Sequence, residues 1–373
     1  MDSHSKKRIN TITCHEVYNY GASLQEMALL HFLNGKGYEA KTISYKPIYL
    51  SYHHKLFSCA NDNWSKNYLT KLAYICLKLP SKLILELRKR RFNTFSKKYI
   101  PSTKNCYSSN TELKNEPPSA DYYICGSDQI WNHLFPNGKD PAFYLDFVPN
   151  DKIKISYAAS FATDSIPEGH VSFLKSKLSY LDHISVRETS AKKMLDNLEV
   201  ENVYQVLDPV FLLGVDFWNK FKCSNLIGNY IFIYDFDSNP QIKSIALMLK
   251  RKLGLKIVTM NRNIKYSDKN FYLHGPDVFL NLIANSQIVL TTSFHAVAFA
   301  LIFNKKLGVF NRNININTRM RDLLQLMGIG QNLFTTLDGF KPEDLEIDYP
   351  IVELILEKSI MSSKKYLLNA LDR

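Results

Sequence analysis

Two rhythms of apolar and polar residues alternate along this chain. Short, nearly unbroken apolar runs predict strands buried on both faces. Longer stretches with an apolar residue every three or four positions predict amphipathic helices. A strand over residues 9–14, a helix over 23–34 ended by Gly35 and Gly37, and a strand over 40–45 make the first strand–helix–strand unit. Residues 49–107 break the rhythm: aromatic, basic and helical in pattern, they read as an insertion, followed by a polar loop over 107–119 with Pro117 and Pro118. Strand patterns resume at 121–125, 153–160, 183–186 and 203–207, with helices over 170–180 and 190–197. After Phe211 the alternation starts afresh. Strands at 230–234, 256–260, 287–290 and 307–310 are separated by helices at 241–253, 277–284 and 294–303, and a last helix covers 352–371.

This order predicts an α/β fold of two Rossmann-like domains facing each other across a cleft. The expected division is 1–215 for the first domain, 216–345 for the second, and 346–373 as a helix returning to the first. A length of 373 residues suits two cores, and 45% hydrophobic with 22% charged residues is ordinary globular composition. The six cysteines include no C-x-x-C pair, so neither a disulfide framework nor structural zinc is expected. No apolar run reaches the roughly 18 residues of a membrane span. The first ten residues are polar and basic without a signal-like apolar core, so the expected location is the cytoplasm.

The net charge of +12 calls for an anionic partner. Much of the excess lies between Lys82 and Lys98, where Arg88, Lys89, Arg90 and Arg91 are opposed only by Glu86. This run is either a solvated helix face or a docking surface. Nucleic acid is not the expected partner, because no recognition module accompanies the charge.

Ligands of open parallel sheets bind beyond the carboxyl ends of the strands. The segments predicted there are Asn19 to Ser23, Gly126 to Asn132, Phe161 to Ser165, Arg187 with Glu188, and Thr291 to His295. The last opens a helix, whose free N–H groups favour an anion, and its hydroxyls fit an ordinary helix cap equally. Arg187 could grip a phosphate or carboxylate, or simply pair with Glu188 or Asp182. Asp128 offers acid–base chemistry and Trp131 a flat face for a sugar ring, unless the loop is a capped turn with Trp131 as packing. No G-x-G-x-x-G, P-loop, H-E-x-x-H or G-x-S-x-G pattern is present.

Taken together, Asn19-Tyr20-Gly21-Ala22 with Gln25, Gly126-Ser127-Asp128-Gln129-Ile130-Trp131-Asn132 and Ser156 to Phe161 resemble the polysaccharide pyruvyl transferase family. So do Ser185-Val186-Arg187-Glu188, Leu207-Asp208-Pro209-Val210 and Thr292-Ser293-Phe294-His295-Ala296. The resemblance runs in order from about residue 10 to 330. It implies a fold like the two-domain B-type glycosyltransferases, with phosphoenolpyruvate as donor and a sugar diol as acceptor. The products would be a pyruvate ketal and phosphate, in capsule, exopolysaccharide or cell-wall polymer synthesis, often on lipid-linked intermediates.

Arg187 and His295 match family positions associated with donor binding or catalysis. On this reading His295 is the acid–base group, and Asp128 or Glu188 deprotonates the acceptor. The donor would rest on Arg187, Thr291, Thr292, Ser293, Phe294 and His295, and the acceptor on Asn19, Tyr20, Gln25, Ser127 and Trp131. Neither cofactor nor metal is expected. Many family members carry an arginine two residues before the histidine; here that position is Ser293. That departure keeps two other readings open, a nucleotide-sugar glycosyltransferase of the same architecture and a glycan-binding protein without catalysis. A lipid-linked acceptor would also give the Lys82 to Lys98 run a role at an anionic membrane face.

Overall fold

A computed structural model describes residues 6–51, 67–223, 227–314 and 316–372. Two parallel sheets organise the chain. The first has the order β3-β2-β1-β4-β5, from β1 (Arg8–Ile12), β2 (Glu39–Tyr45), β3 (Ser102–Tyr107), β4 (Tyr122–Cys125) and β5 (Ile153–Ser156). A two-stranded pair, β6 (Ile184–Val186) and β7 (Val203–Gln205), continues it through bridges from Ile155 to His183 and from Ala159 to Val186. The second has the order β10-β9-β8-β11-β12-β13. Its strands are β8 (Tyr230–Tyr234), β9 (Lys256–Thr259), β10 (Lys269–Asn270), β11 (Ile288–Thr291), β12 (Lys306–Phe310) and β13 (Leu333–Phe334). Both orders reverse direction beside a central strand, between β1 and β4 and between β8 and β11, where crevices form in such sheets.

Local chemistry accounts for these elements. The run Tyr230–Tyr234 is buried at every position, as a strand covered on both faces must be. The helix Pro240–Leu253 has Asn239 as its cap and Pro240 at its first position, and Gly254 closes it at φ 68°. The helix Tyr20–Gly35 starts before the position expected from periodicity, because the Asn19 side chain accepts the Ala22 N–H at 3.3 Å.

The segment read as an insertion is only partly one. The expected helices are a single helix, Tyr68–Tyr99, followed by β3, which pairs in parallel with β2 as the sheet edge. The remainder of that segment, 52–66, lies outside the described residues. The strand expected over 153–160 stops at Ser156, and Ala158 and Ala162 turn the chain at positive φ. The region between β12 and the last helix, to which the periodicity assigned no element, contains the helix Thr318–Leu326.

A continuous apolar core joins both halves through the helices Tyr20–Gly35, Phe294–Ile302 and Tyr349–Leu371. The last helix is tied to the first half by two hydrogen bonds. Ser363 accepts the Leu207 N–H at 2.9 Å, and Tyr366 donates to the Ser156 carbonyl at 3.1 Å.

Candidate active site

The loop after β4 is built to present Asp128. Its base is a closed polar knot: the Ser127 N–H donates to Gln25, Gln25 donates to Thr13, and Thr13 donates to the Ser127 carbonyl. Gly126 sits at φ 118°, and a Cβ there would lie 2.1 Å from the Tyr157 carbonyl oxygen, so only glycine fits. Asp128 itself is at φ 71°, a left-handed conformation that aspartate tolerates better than most residues.

Two arginines converge on this carboxylate. Arg187, just after β6, donates to Asp208 at 2.6 Å and to Asp128 at 3.3 Å. Arg319, from the helix Thr318–Leu326 in the other half, donates to the same Asp128 oxygen at 3.1 Å. His295 enters from the start of the helix Phe294–Ile302, with Nε2 3.6 Å from Asp208. Phe294 lies beneath the arginines, its ring centre 4.2 Å from the Arg187 guanidinium. Glu188 accepts a short hydrogen bond from Ser160 and lies 3.6 Å from Arg187.

His295 reaches this place because Gly21 has no side chain. A Cβ at Gly21 would fall 2.0 Å from its Nδ1.

The cluster is buried, and its charges shape one another. Burial works against ionising Asp208, but His295 and Arg187 outweigh it and hold the carboxyl well below the usual range. Asp128 is likewise lowered despite burial, by Arg187 and Arg319. Glu188 goes the other way: burial raises it more than Arg187 and Ser160 lower it. Burial also lowers Arg319 to about 10, opposed by Asp128. Among the described residues four buried atoms of the group make no hydrogen bond: Arg187 Nε, Arg319 Nε, His295 Nε2 and Glu188 Oε2. Buried polar atoms are nearly always partnered, so such a concentration marks a place for polar ligand groups.

The sequence-predicted residues separate into three groups. Asp128, Arg187, Glu188, Phe294 and His295 meet in the cluster, and Ser127 joins through its hydroxyl, 3.1 Å from Asp208. Thr291 and Thr292 stand behind it: Thr291 donates to the Tyr234 carbonyl and accepts the Ser293 N–H, while Thr292 points to Asp235. Ser293 occupies the cap position of its helix, yet its side chain makes no capping bond.

Of the acceptor set, Asn19 caps a helix and Gln25 is fully buried in the loop knot. Tyr20 is fully buried and stacked on Phe92 and Phe279. Trp131 is fully buried, donates to the Phe143 carbonyl and stacks on Tyr144 at 5.4 Å, so its face is packing and not a sugar platform.

Arg319 and Asp208 complete the cluster: Asp208 lies in the Leu207-Asp208-Pro209-Val210 block that carries the resemblance but was given no role, and Arg319 was not singled out from the sequence. For Arg319 a signal existed: Met320, Leu323, Leu324 and Met327 carry helical spacing around it.

Residues 19–313 match the family described as polysaccharide pyruvyl transferase. The chain belongs to this family. It is therefore a transferase family member of polysaccharide biosynthesis, and Arg319 lies beyond the matched residues. No curated protein sequence matches the chain.

Among solved structures, the UDP-N-acetylglucosamine 2-epimerase from Rickettsia bellii is similar at 12% identity and TM-score 0.49, over 98% of this chain and 96% of that one. S. aureus MnaA in its UDP co-structure is similar at 15% identity and TM-score 0.48, over 98% and 97%. The Neisseria meningitidis UDP-GlcNAc 2-epimerase bound to UDP-GlcNAc gives 12% and 0.48, over 98% and 99%. Among the described residues no helix is long and apolar enough to cross a membrane.

Proposed function

We propose that this family member moves pyruvate from phosphoenolpyruvate onto two hydroxyls of one sugar, forming a ketal and releasing phosphate. The acceptor in this reading is a lipid-linked intermediate of capsule or exopolysaccharide assembly, met at the cytoplasmic face of the membrane. The observation that carries the reading is the meeting of His295 with Arg187 and Arg319 around Asp128 and Asp208, with buried nitrogen atoms that make no hydrogen bond among the described residues.

The chemistry has defined needs. The methylene carbon of the donor takes a proton and becomes a methyl group. The neighbouring carbon, made electron-poor, accepts the oxygen of the first hydroxyl, whose proton leaves. The carbon–oxygen bond to phosphate then breaks with its electron pair, and the second hydroxyl adds with loss of its proton. One proton stays on the methyl group and one is carried away on phosphate.

His295, held beside Asp208, is suited to supply the first proton. Glu188 is the better base of the two carboxylates considered. Its burial raises its proton affinity, whereas Asp128 is committed to two arginines and lowered. Arg187 and Arg319 are suited to hold the donor's anionic groups, and Arg319 would supply the second cation that Ser293 does not.

The test is incubation of the purified protein with phosphoenolpyruvate and a galactose-containing lipid-linked acceptor. Phosphate release matched by a pyruvate ketal on the glycan is the expected result. Absence of phosphoenolpyruvate binding would remove the donor assignment, and turnover with a nucleotide sugar would replace it.

A further inference from the structure

The helix Tyr68–Tyr99 has two unlike faces. Arg88, Phe92, Phe95 and Tyr99 recur at helical spacing and pack on the body of the protein, Arg88 over the rings of Tyr20 and Tyr272 at 5.0 and 5.2 Å. On the opposite side Tyr68, Leu72, Leu79, Leu83 and Leu87 form one slanting stripe, since each step of four or seven residues returns to within about 40° at roughly 100° per residue and the whole run drifts by about 100°. These side chains are 36% to 77% exposed.

Past Leu87 the same side turns basic. Arg90, Arg91, Thr94 and Lys98 line a groove against Leu273, His274 and Asp277, made of adjoining cavities of about 430 and 250 Å³. Among the described residues Asp277 is the one carboxylate lining it, and Glu86, the one acid in the sequence of the helix, is 3.8 Å from Lys89.

We infer that this face docks the protein on an anionic lipid bilayer, the leucine stripe entering the interface and the groove holding headgroup phosphates. The juxtaposition selects the occupant. A second copy would bring cationic helices together, and a soluble polyanion would have no use for exposed leucines. A bilayer with anionic headgroups satisfies both surfaces. Docking also orients the site, because Tyr20 under Arg88 is the chain neighbour of Gly21, which abuts His295. The inference rests on the reading of a membrane-borne acceptor, but its test needs no turnover.

The experiment measures partitioning of the full chain onto phosphatidylglycerol–phosphatidylcholine vesicles and onto phosphatidylcholine alone. Binding should require the anionic lipid and weaken with salt. Arg90→Gln with Arg91→Gln and Lys98→Gln should lower it about 100-fold, at about a factor of five per cation near the surface. Leu79→Ser with Leu83→Ser should lower it at least tenfold while leaving circular dichroism unchanged.

Four results would overturn the inference, of which the first three are equal binding to neutral vesicles, wild-type binding by the serine variant, and a dimer in solution that the serine substitutions abolish. Millimolar inorganic phosphate that displaces the protein from vesicles as fully as removing the anionic lipid would point to a free phosphate site and overturn it as well. Phosphoenolpyruvate binding by the same preparation separates the two readings. If it is absent while vesicle binding holds, the donor assignment is wrong and the docking face stands.

Discussion

The two halves of the molecule bring unlike chemistry to one cleft. The first half contributes three carboxylates, Glu188 and Asp208 buried and Asp128 half-buried, each at the end of a strand or in the turn beyond it, with Arg187 among them. The second half contributes His295 and Arg319, each the second residue of a helix, so both arrive beside free backbone N–H groups. Two carboxylates of the second half are turned away, Asp235 accepting backbone N–H groups and Asp237 pairing with Arg312, while Asp322 accepts the Ser190 N–H of the first half at 2.7 Å. The difference teaches how the site can be both basic and anion-binding. Proton acceptors sit on one wall, and the proton donor, a cation and two helix N-termini face them.

The hardest blow to that division is His295→Ala. It should cost about 10²- to 10⁴-fold in kcat with an unchanged circular dichroism spectrum, the range for a lost acid–base group. Retention of most activity would remove the second wall's central residue.

Arg319→Met comes next, with donor kcat/KM expected to fall about 100-fold, mostly through KM, as a charge-assisted hydrogen-bonding partner is lost. Arg319→Lys should recover little of this, since a lysine cannot present the forked donor. An unchanged donor KM would assign anion binding to Arg187 alone.

Gly21→Ala probes the contact between the walls. The added methyl must push His295 aside, so about tenfold loss of kcat is expected, with crystallography showing a shifted imidazole.

Glu188→Gln sharpens the comparison through stability. A carboxyl whose proton affinity is raised in the folded state costs stability once pH climbs above its unfolded value. The glutamine variant should therefore melt at or above wild type at pH 8 and lose this advantage toward pH 4. Asp208 follows the opposite sign: its contribution is present at neutral pH and is lost as pH falls below the ordinary carboxylate range. A Glu188→Gln melting curve that tracked wild type at both pH values would contradict the assignment.

The smallest effect is expected at Asp164, exposed to solvent, which bridges the halves by pairing with Arg321 at 2.6 and 3.0 Å. Asp164→Asn should change unfolding free energy by no more than about 1 kcal/mol, as exposed pairs do, read from denaturant midpoints.

Much of this was legible in advance because it follows from local pattern. Apolar runs named the central strands, and the blocks around Asp128, Arg187 and His295 lay where a parallel sheet places its ligands. The departures have physical causes. Tyr20, Gln25 and Trp131 look like ligand residues by type and position, but burial turned each toward the protein: a stack, a loop knot and a core ring. Ser293 looks like a helix cap, yet its hydroxyl makes no capping bond.

Sequence alone therefore determined the alternation of elements and which loop tips carry polar chemistry, since both depend on near neighbours in the chain. Tertiary structure decided the rest. Arg319 meets Asp128 across 191 positions of chain, and His295 approaches Gly21 from the other half. The direction in which each carboxylate is shifted depends on burial and on charges brought from distant segments. Those quantities come into being only when the two sheets close on each other.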